Sequence, residues 1–197
     1  MAPNGQFKTF RVLGIDPGLT VTGYAVVQTA GEVPQFRASL RGTGDIQLQE
    51  AGVVRPVTDE SLESRLEQIF LSVSDVLDEY QPDLVAVEEV HANLRHPRTA
   101  IIMAHARGVV YLAAGLRGVP VRSFAPTLVK QAITGSGRAP KTQVRAALCQ
   151  QLGLDRLPEP HDLSDAIAVA VCGVLGVDRF TIRANGCAVL KARVAMR

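Results

Sequence analysis

Four carboxylates in three separated segments have the types and spacing of a site that handles cations and phosphates. Asp16 closes the apolar run Val12-Leu13-Gly14-Ile15 and opens the turn at Pro17-Gly18, while Glu88 closes a second run, Leu84-Val85-Ala86-Val87. Asp162 and Asp165 stand three residues apart in His161-Asp162-Leu163-Ser164-Asp165, just ahead of the apolar stretch 166–171. An ionised carboxylate in apolar surroundings is costly unless a cation or a partner compensates it. Acids at strand ends and an i,i+3 pair on a helix can converge on one point, and hard oxygen ligands suit Mg²⁺ or Mn²⁺. Alone, the Asp162/Asp165 pair reads as acids capping a helix N-terminus; together with Asp16 and Glu88 it reads as ligands. The chemistry expected is phosphoryl transfer, in which two cations about 3.5–4 Å apart clamp a phosphodiester.

Such a site needs neighbouring strands that end at one edge. Arg11–Asp16 and Gly23–Ala30 read as adjacent strands joined by the Pro-Gly turn, and a third strand is expected within 35–48, broken by Gly42 and Gly44; the three form an antiparallel meander. The period then changes. In Leu62–Tyr80 apolar residues recur every three or four positions, giving an amphipathic helix with an acidic outer face, capped by Asp59 or Ser61 and ended by Pro82. Leu84–Glu88 is a short buried strand, Thr99–Leu116 a helix rich in small residues, and Val119–Phe124 another strand. Helices follow at Pro126–Thr134, Lys141–Leu152 and Asp162–Gly176. This is an α/β layout with a mixed sheet. In open sheets of this kind, sites lie beyond the carboxyl ends of adjacent strands, so Asp16 and Glu88 share a crevice if the first and fourth strands are neighbours.

The chain has 197 residues, 47% of them hydrophobic, enough for one good core. The domain expected runs over 11–177, with a loose polar leader at 1–10 and a basic tail at 178–197 that carries five bases against Asp178. No cationic-apolar leader is seen at the N-terminus, and Ala166–Val177, the longest apolar stretch, is shorter than the ~20 residues of a membrane-spanning helix. Cys149, Cys172 and Cys187 are odd in number and lack metal-type spacing, so a reduced, cytoplasmic protein without membrane attachment is expected.

A net charge of +2 hides an asymmetry. Twelve acids against two bases fall between Asp45 and Glu89, whereas nine bases and no acid lie between Glu89 and Asp155. One acidic and one basic surface follow, and a basic surface is the footprint of a polyanion. Ordinary solvated helix faces give the same pattern, so the charge points to nucleic acid without deciding it. Lys130 and Lys141 are the bases best placed to steady phosphates, since they bracket the loop Thr134-Gly135-Ser136-Gly137-Arg138. The Gly-x-Gly in that loop is weak evidence for a phosphate contact and reads equally as a plain turn.

Gly14-Ile15-Asp16-Pro17-Gly18 with Thr22-Gly23-Tyr24, Ala86-Val87-Glu88-Glu89-Val90, Ala106-Arg107-Gly108, Val129-Lys130-Gln131 and Asp162-x-x-Asp165-Ala166 together resemble the RuvC family of Holliday-junction resolvases, from about Arg11 to Gly176. The resemblance implies a ribonuclease-H-like fold with a mixed five-stranded sheet flanked by helices, and a homodimer. It implies Mg²⁺- or Mn²⁺-dependent nicking of opposed strands of a four-way DNA junction, with two cations per site and 5′-phosphate and 3′-hydroxyl products, in recombination and repair. A branch-migration motor is a further expected partner. Residue by residue, Asp16, Glu88 and Asp165 match the family's metal-binding acids, and Asp162 matches a fourth position where some members carry His, which leaves the neighbouring His161 open as an alternative. The match also selects Glu88 over Glu89. Lys130 and Lys141 match basic positions associated with DNA contact and catalysis, and Arg95, Arg98 and Arg138 are further expected DNA contacts. His91 stands where relatives often have a Phe implicated in base stacking, and the stretch Asn93–Thr99 looks slightly longer than usual.

Three other readings compete. An actin-like or sugar-kinase-like ATPase also uses an Asp-x-Gly turn after its first strand, but needs two duplicated halves, and no second copy is seen. A junction-binding protein without activity is opposed by the intact acid set. A nuclease for RNA–DNA hybrids or other branched substrates would use the same metal chemistry. For a dimer, the small-residue helix Thr99–Leu116 is the expected interface, because a two-fold dimer places two sites on a two-fold junction.

Overall fold

The computed structural model describes residues 9–29, 45–89, 97–160 and 162–176, with the side chains of 97, 98 and 162 left out. Five strands form one mixed sheet: β1 (Phe10–Asp16), β2 (Thr22–Thr29), β3 (Ile46–Val54), β4 (Leu84–Glu88) and β5 (Val121–Phe124), in the order β3-β2-β1-β4-β5. The β1–β2 and β2–β3 pairs are antiparallel, while β1–β4 and β4–β5 are parallel. Five helices are described: α1 (Leu62–Tyr80), α2 (Pro97–Leu116), α3 (Pro126–Thr134), α4 (Lys141–Leu152) and α5 (Asp162–Gly176). The expected meander and mixed sheet are present, and the helix boundaries match except that α2 begins at Pro97 rather than Thr99; β5 begins at Val121 rather than Val119.

One element is displaced. The third strand runs from Ile46 to Val54, later than the 35–48 expected, and residues 30–44 lie outside the described ones. Glu50 and Gly52 hide it from a reading by alternation. Gly52 has a packing reason, since a Cβ there would lie 2.4 Å from the Tyr24 ring and hydroxyl. Glu50 accepts hydrogen bonds from Tyr24 (2.9 Å) and from Tyr80 of α1. A register shift between Val26 and Val27 accommodates the strand.

Strand alternation sends successive side chains to opposite faces. Leu13, Ile15, Val85 and Val87 face α1 and α2, where Ile69, Val73, Leu77 and Val110 meet them. Val12, Leu84 and Ala86 face α5, which contributes Ile167, Ala170 and Val171. All of the residues just named are at most 2% exposed, so truncating Leu13 to Ala is expected to cost about 2–5 kcal/mol.

Ser61 caps α1 by accepting from Ser64 N, and Gln81 ends it in a left-handed conformation (φ 45°) ahead of buried Pro82. Arg11 then locks the start of β1 against the end of α1: its Nη1 donates to Tyr80 O, and its backbone exchanges bonds with Asp83. This joint makes β1 the parallel neighbour of β4. By length and composition α2, rather than the stretch 166–177, is long and apolar enough to cross a membrane. His105 and Arg107 interrupt its apolar runs, which is why a search for unbroken stretches passes over it.

Candidate active site

The last register pair between β1 and β4 is Ile15↔Val87, and Asp16 and Glu88 each stand one residue beyond it, on the face that carries α5. The turn after Asp16 is fixed by the buried Thr22, whose Oγ1 donates to Gly18 O (2.6 Å) and accepts from Gly18 N (3.2 Å). Arg65 of α1 adds a bond from Nη2 to Leu19 O at 2.8 Å. Gly14 brings the third acid into place. A Cβ on it would stand 2.4 Å from Ala166 O and Ala170 N, so only glycine lets α5 lie flush on β1. Asp165, in the first turn of α5, is thereby carried to the strand ends.

The electrostatics record the convergence. Burial, the Asp16 charge and the Asp165 charge push the Glu88 carboxyl up to about 7, against the opposing pull of Lys141 and Lys130. Lys141 Nζ lies 2.9 Å from Asp165 Oδ2, and this contact holds the Lys141 ammonium above its ordinary range. The cleft beside the acids has a volume of about 590 Å³. Glu88, Asp165, Lys130, Lys141, Thr142, Arg145 and Ser164 give its polar lining, and Pro126, Val129, Val144 and Ala168 an apolar wall.

Among the described residues no three of these acids close up into a metal-enclosing group. Asp165 is instead paired with the Lys141 ammonium. The donor chemistry still fits Mg²⁺ or Mn²⁺: all donors are hard oxygens, and Mg²⁺ is ordinarily held by one or two carboxylates together with substrate phosphates rather than by an all-protein cage.

The profile described as "Crossover junction endodeoxyribonuclease RuvC" matches residues 12–173. A crossover junction endodeoxyribonuclease RuvC of Rhodopirellula baltica is 44% identical over 162 residues, covering 82% of this chain and 84% of the relative. The chain belongs to the RuvC family. A Thermobifida fusca member is also 44% identical over 162 residues, with 82% of each chain covered. The structure of Thermus thermophilus RuvC superposes with a TM-score of 0.76 at 34% identity, covering 86% of this chain and 96% of that one, and the same protein has been solved in complex with a Holliday junction substrate. The yeast mitochondrial resolvase Ydc2, at 14% identity and a TM-score of 0.59, shares the fold. The fold is ribonuclease-H-like. Because the match runs as one unit through residues 12–173, the ATPase reading, which requires two duplicated halves, falls away.

Of the residues singled out from the sequence, Asp16, Glu88, Asp165, Lys130 and Lys141 come together. Glu88 lines the cleft, whereas Glu89 is exposed. The backbone of Asp162 opens α5, but its side chain lies outside the described ones, as does that of Arg98 in the first turn of α2; His91, Arg95 and His161 lie outside the described residues. Arg138 is exposed in the turn between α3 and α4 and is not among the described residues lining the cleft. The glycines of that turn have local work: Gly135 ends α3 at φ 80°, and a Cβ on Gly137 would meet Thr127 O at 3.0 Å. Sequence reasoning missed Arg145, Thr142 and Ser164. Arg145 was findable, since it sits four residues after Lys141 on one helix and so shares its face.

Proposed function

We propose that this chain resolves four-way DNA junctions by paired, symmetric nicks in opposed strands, hydrolysing phosphodiesters to 5′-phosphate and 3′-hydroxyl ends with the help of Mg²⁺ or Mn²⁺, two per site. The observation that carries the reading is the placement of Asp16, Glu88 and Asp165 at the carboxyl edge of two parallel strands, where burial, together with the Asp16 and Asp165 charges, pushes the Glu88 carboxyl up to about 7. Family membership supports it independently.

Asp16, Glu88 and Asp165 would hold the cations, with Asp162 as the fourth ligand. When bound, such cations activate the attacking water and stabilise charge on the scissile phosphate. Lys130 and Lys141 line the same cleft and draw the DNA phosphate toward the acids, and Lys141 is free to do so once Asp165 is engaged elsewhere. The apolar wall formed by Pro126, Val129, Val144 and Ala168 keeps bulk water from one side of the site, which strengthens every charge interaction inside it.

The working unit is a homodimer. The outer face of α2 exposes Ile101, Ile102, Leu112 and Leu116, and Cβ atoms on Gly108 and Gly115 would meet open space. An apolar face of this kind on a helix already packed on the sheet calls for a cover. Arg107 on its inner side is tied to Tyr111 and Ser123, which marks α2 as a sheet-covering helix rather than a membrane span. A second copy related by a two-fold axis would cover the outer face and set two clefts on a two-fold junction. Incubation of the protein with a four-way junction and either cation tests the reading: paired nicks are expected, and binding without nicks would refute it.

A further inference from the structure

Two ties of different chemistry fasten α4 to the first turn of α5. Lys141 and Arg145, one helical turn apart on α4, face Asp165 and Ser164, which are adjacent on α5. Lys141 Nζ meets Asp165 Oδ2 at 2.9 Å, with the two side chains 76% and 38% exposed. Arg145 Nη1 donates to Ser164 Oγ at 2.7 Å, where Arg145 is 26% exposed and Ser164 is buried. Arg145 Nη2 also reaches Glu159 Oε1, at 3.5 Å, in the segment that leads into α5.

These ties have different fates when a divalent cation arrives. A cation held by Asp165 would compete with the Lys141 ammonium for that carboxylate. The Ser164 hydroxyl is a neutral acceptor that the cation does not contest. We propose that Arg145 is a positioning residue of the cation site: by gripping Ser164 it keeps the first turn of α5, and with it the Asp165 carboxylate, registered on α4 while Lys141 exchanges partners. The inference rests on the cation-site reading above and extends it to two side chains that no sequence motif marked. Arg145 acts here through Ser164 and the backbone of α5, without touching DNA.

The test is Mn²⁺ binding to the full chain without DNA, followed by the resonance signal of free Mn²⁺, together with junction binding measured across a salt series without divalent cations. Arg145→Gln and Ser164→Ala are each expected to weaken Mn²⁺ binding about ten- to a hundredfold, the range seen when groups that orient metal ligands are removed. The double variant is expected to be no weaker than Arg145→Gln alone, because both break one bond. Junction affinity and its salt slope stay at wild-type values, and Arg145→Lys, which keeps a donor, recovers part of the loss. Wild-type Mn²⁺ affinity in Arg145→Gln would overturn the inference. So would a weakened junction complex with a salt slope lower by about one, a direct phosphate contact, alongside a silent Ser164→Ala. Should Arg145→Gln lose its cooperative melting transition, Ser164→Ala decides alone, and unchanged Mn²⁺ binding there overturns it. Mn²⁺ binding absent from wild-type itself would sink the cation-site reading and this inference with it, whereas binding lost in Asp165→Asn but intact in both seam variants would sink the inference only.

Discussion

Lys141 and Asp165 form an ion pair across the seam between α4 and α5, Nζ to Oδ2 at 2.9 Å, and both line the cleft that Glu88 also lines. The ammonium stands where positive charge is most needed. On the proposed function it would both compete with the cation for Asp165 and serve as a donor to the incoming phosphate. Removing it is expected to act in opposite directions on two observables. Lys141→Ala leaves Mn²⁺ binding unchanged or tighter, while nicking falls about a hundredfold, as when one preorganised charge donor is lost. The salt slope of junction binding drops by about one. An unchanged slope would remove Lys141 from the phosphate contacts.

Gly14 is the residue on which the convergence of the acids depends sterically. Gly14→Ala puts a methyl group 2.4 Å from the backbone of α5, where no side chain can yield. The helix must lift off β1, at a cost of about 1–3 kcal/mol or more. Melting should show a lower midpoint, and nicking should fall further than the loss of folded protein explains, because Asp165 moves with the helix. Wild-type nicking in this variant would mean that α5 does not set the geometry of the site.

The raised Glu88 carboxyl makes a prediction about stability and pH. Its folded value of about 7 lies above the ordinary 4.5, so its contribution to stability is fully present below about pH 4.5 and is lost as pH rises through 7. Glu88→Gln, neutral throughout, avoids that loss. In chelator at pH 8 the variant should melt roughly 3–6 °C above wild type, corresponding to about 1–2 kcal/mol, and at pH 4.5 the two should coincide. Adding Mn²⁺ should raise the midpoint of wild type but not of the variant. A variant no more stable than wild type at pH 8 would contradict the burial of Glu88 beside the Asp16 and Asp165 charges.

The outer face of α2 predicts the oligomeric state. Leu112→Glu, at a position 55% exposed in the single chain, should convert dimer to monomer in sedimentation without a change in circular dichroism. Paired nicking should become independent single nicks. A monomeric wild type, or a dimer untouched by this substitution, would move the interface elsewhere.

Much of this was legible in the sequence because the signals were local. Apolar runs ending in Asp16 and Glu88 marked strands with acids at their tips, and the three- and four-residue period of Leu62–Tyr80 gave α1 with its boundaries. The third strand was misplaced because its pattern is broken by Glu50 and Gly52, whose reasons are tertiary: one is bound by two tyrosines and the other underlies a ring. Gly14 could be read as part of a motif, but not as the point where α5 touches β1. Nor could the sequence show that Arg145 grips Ser164, because that contact joins side chains 19 residues apart across a helix seam. Charge patterning located the bases on α3 and α4, yet only their packing separates Lys130 and Lys141, in the cleft, from exposed Arg138.

The most direct test of the proposed junction resolution is cleavage of a mobile synthetic four-way junction in Mg²⁺ or Mn²⁺, run beside linear duplex and an RNA–DNA hybrid, with Asp16→Asn and Asp165→Asn as controls. Paired nicks in the junction alone, sealable by a ligase, and absent from both variants although each still binds the junction, are expected. Wild-type rates in either variant, junction binding with no nicks in either metal, or preferential cutting of the hybrid would contradict it.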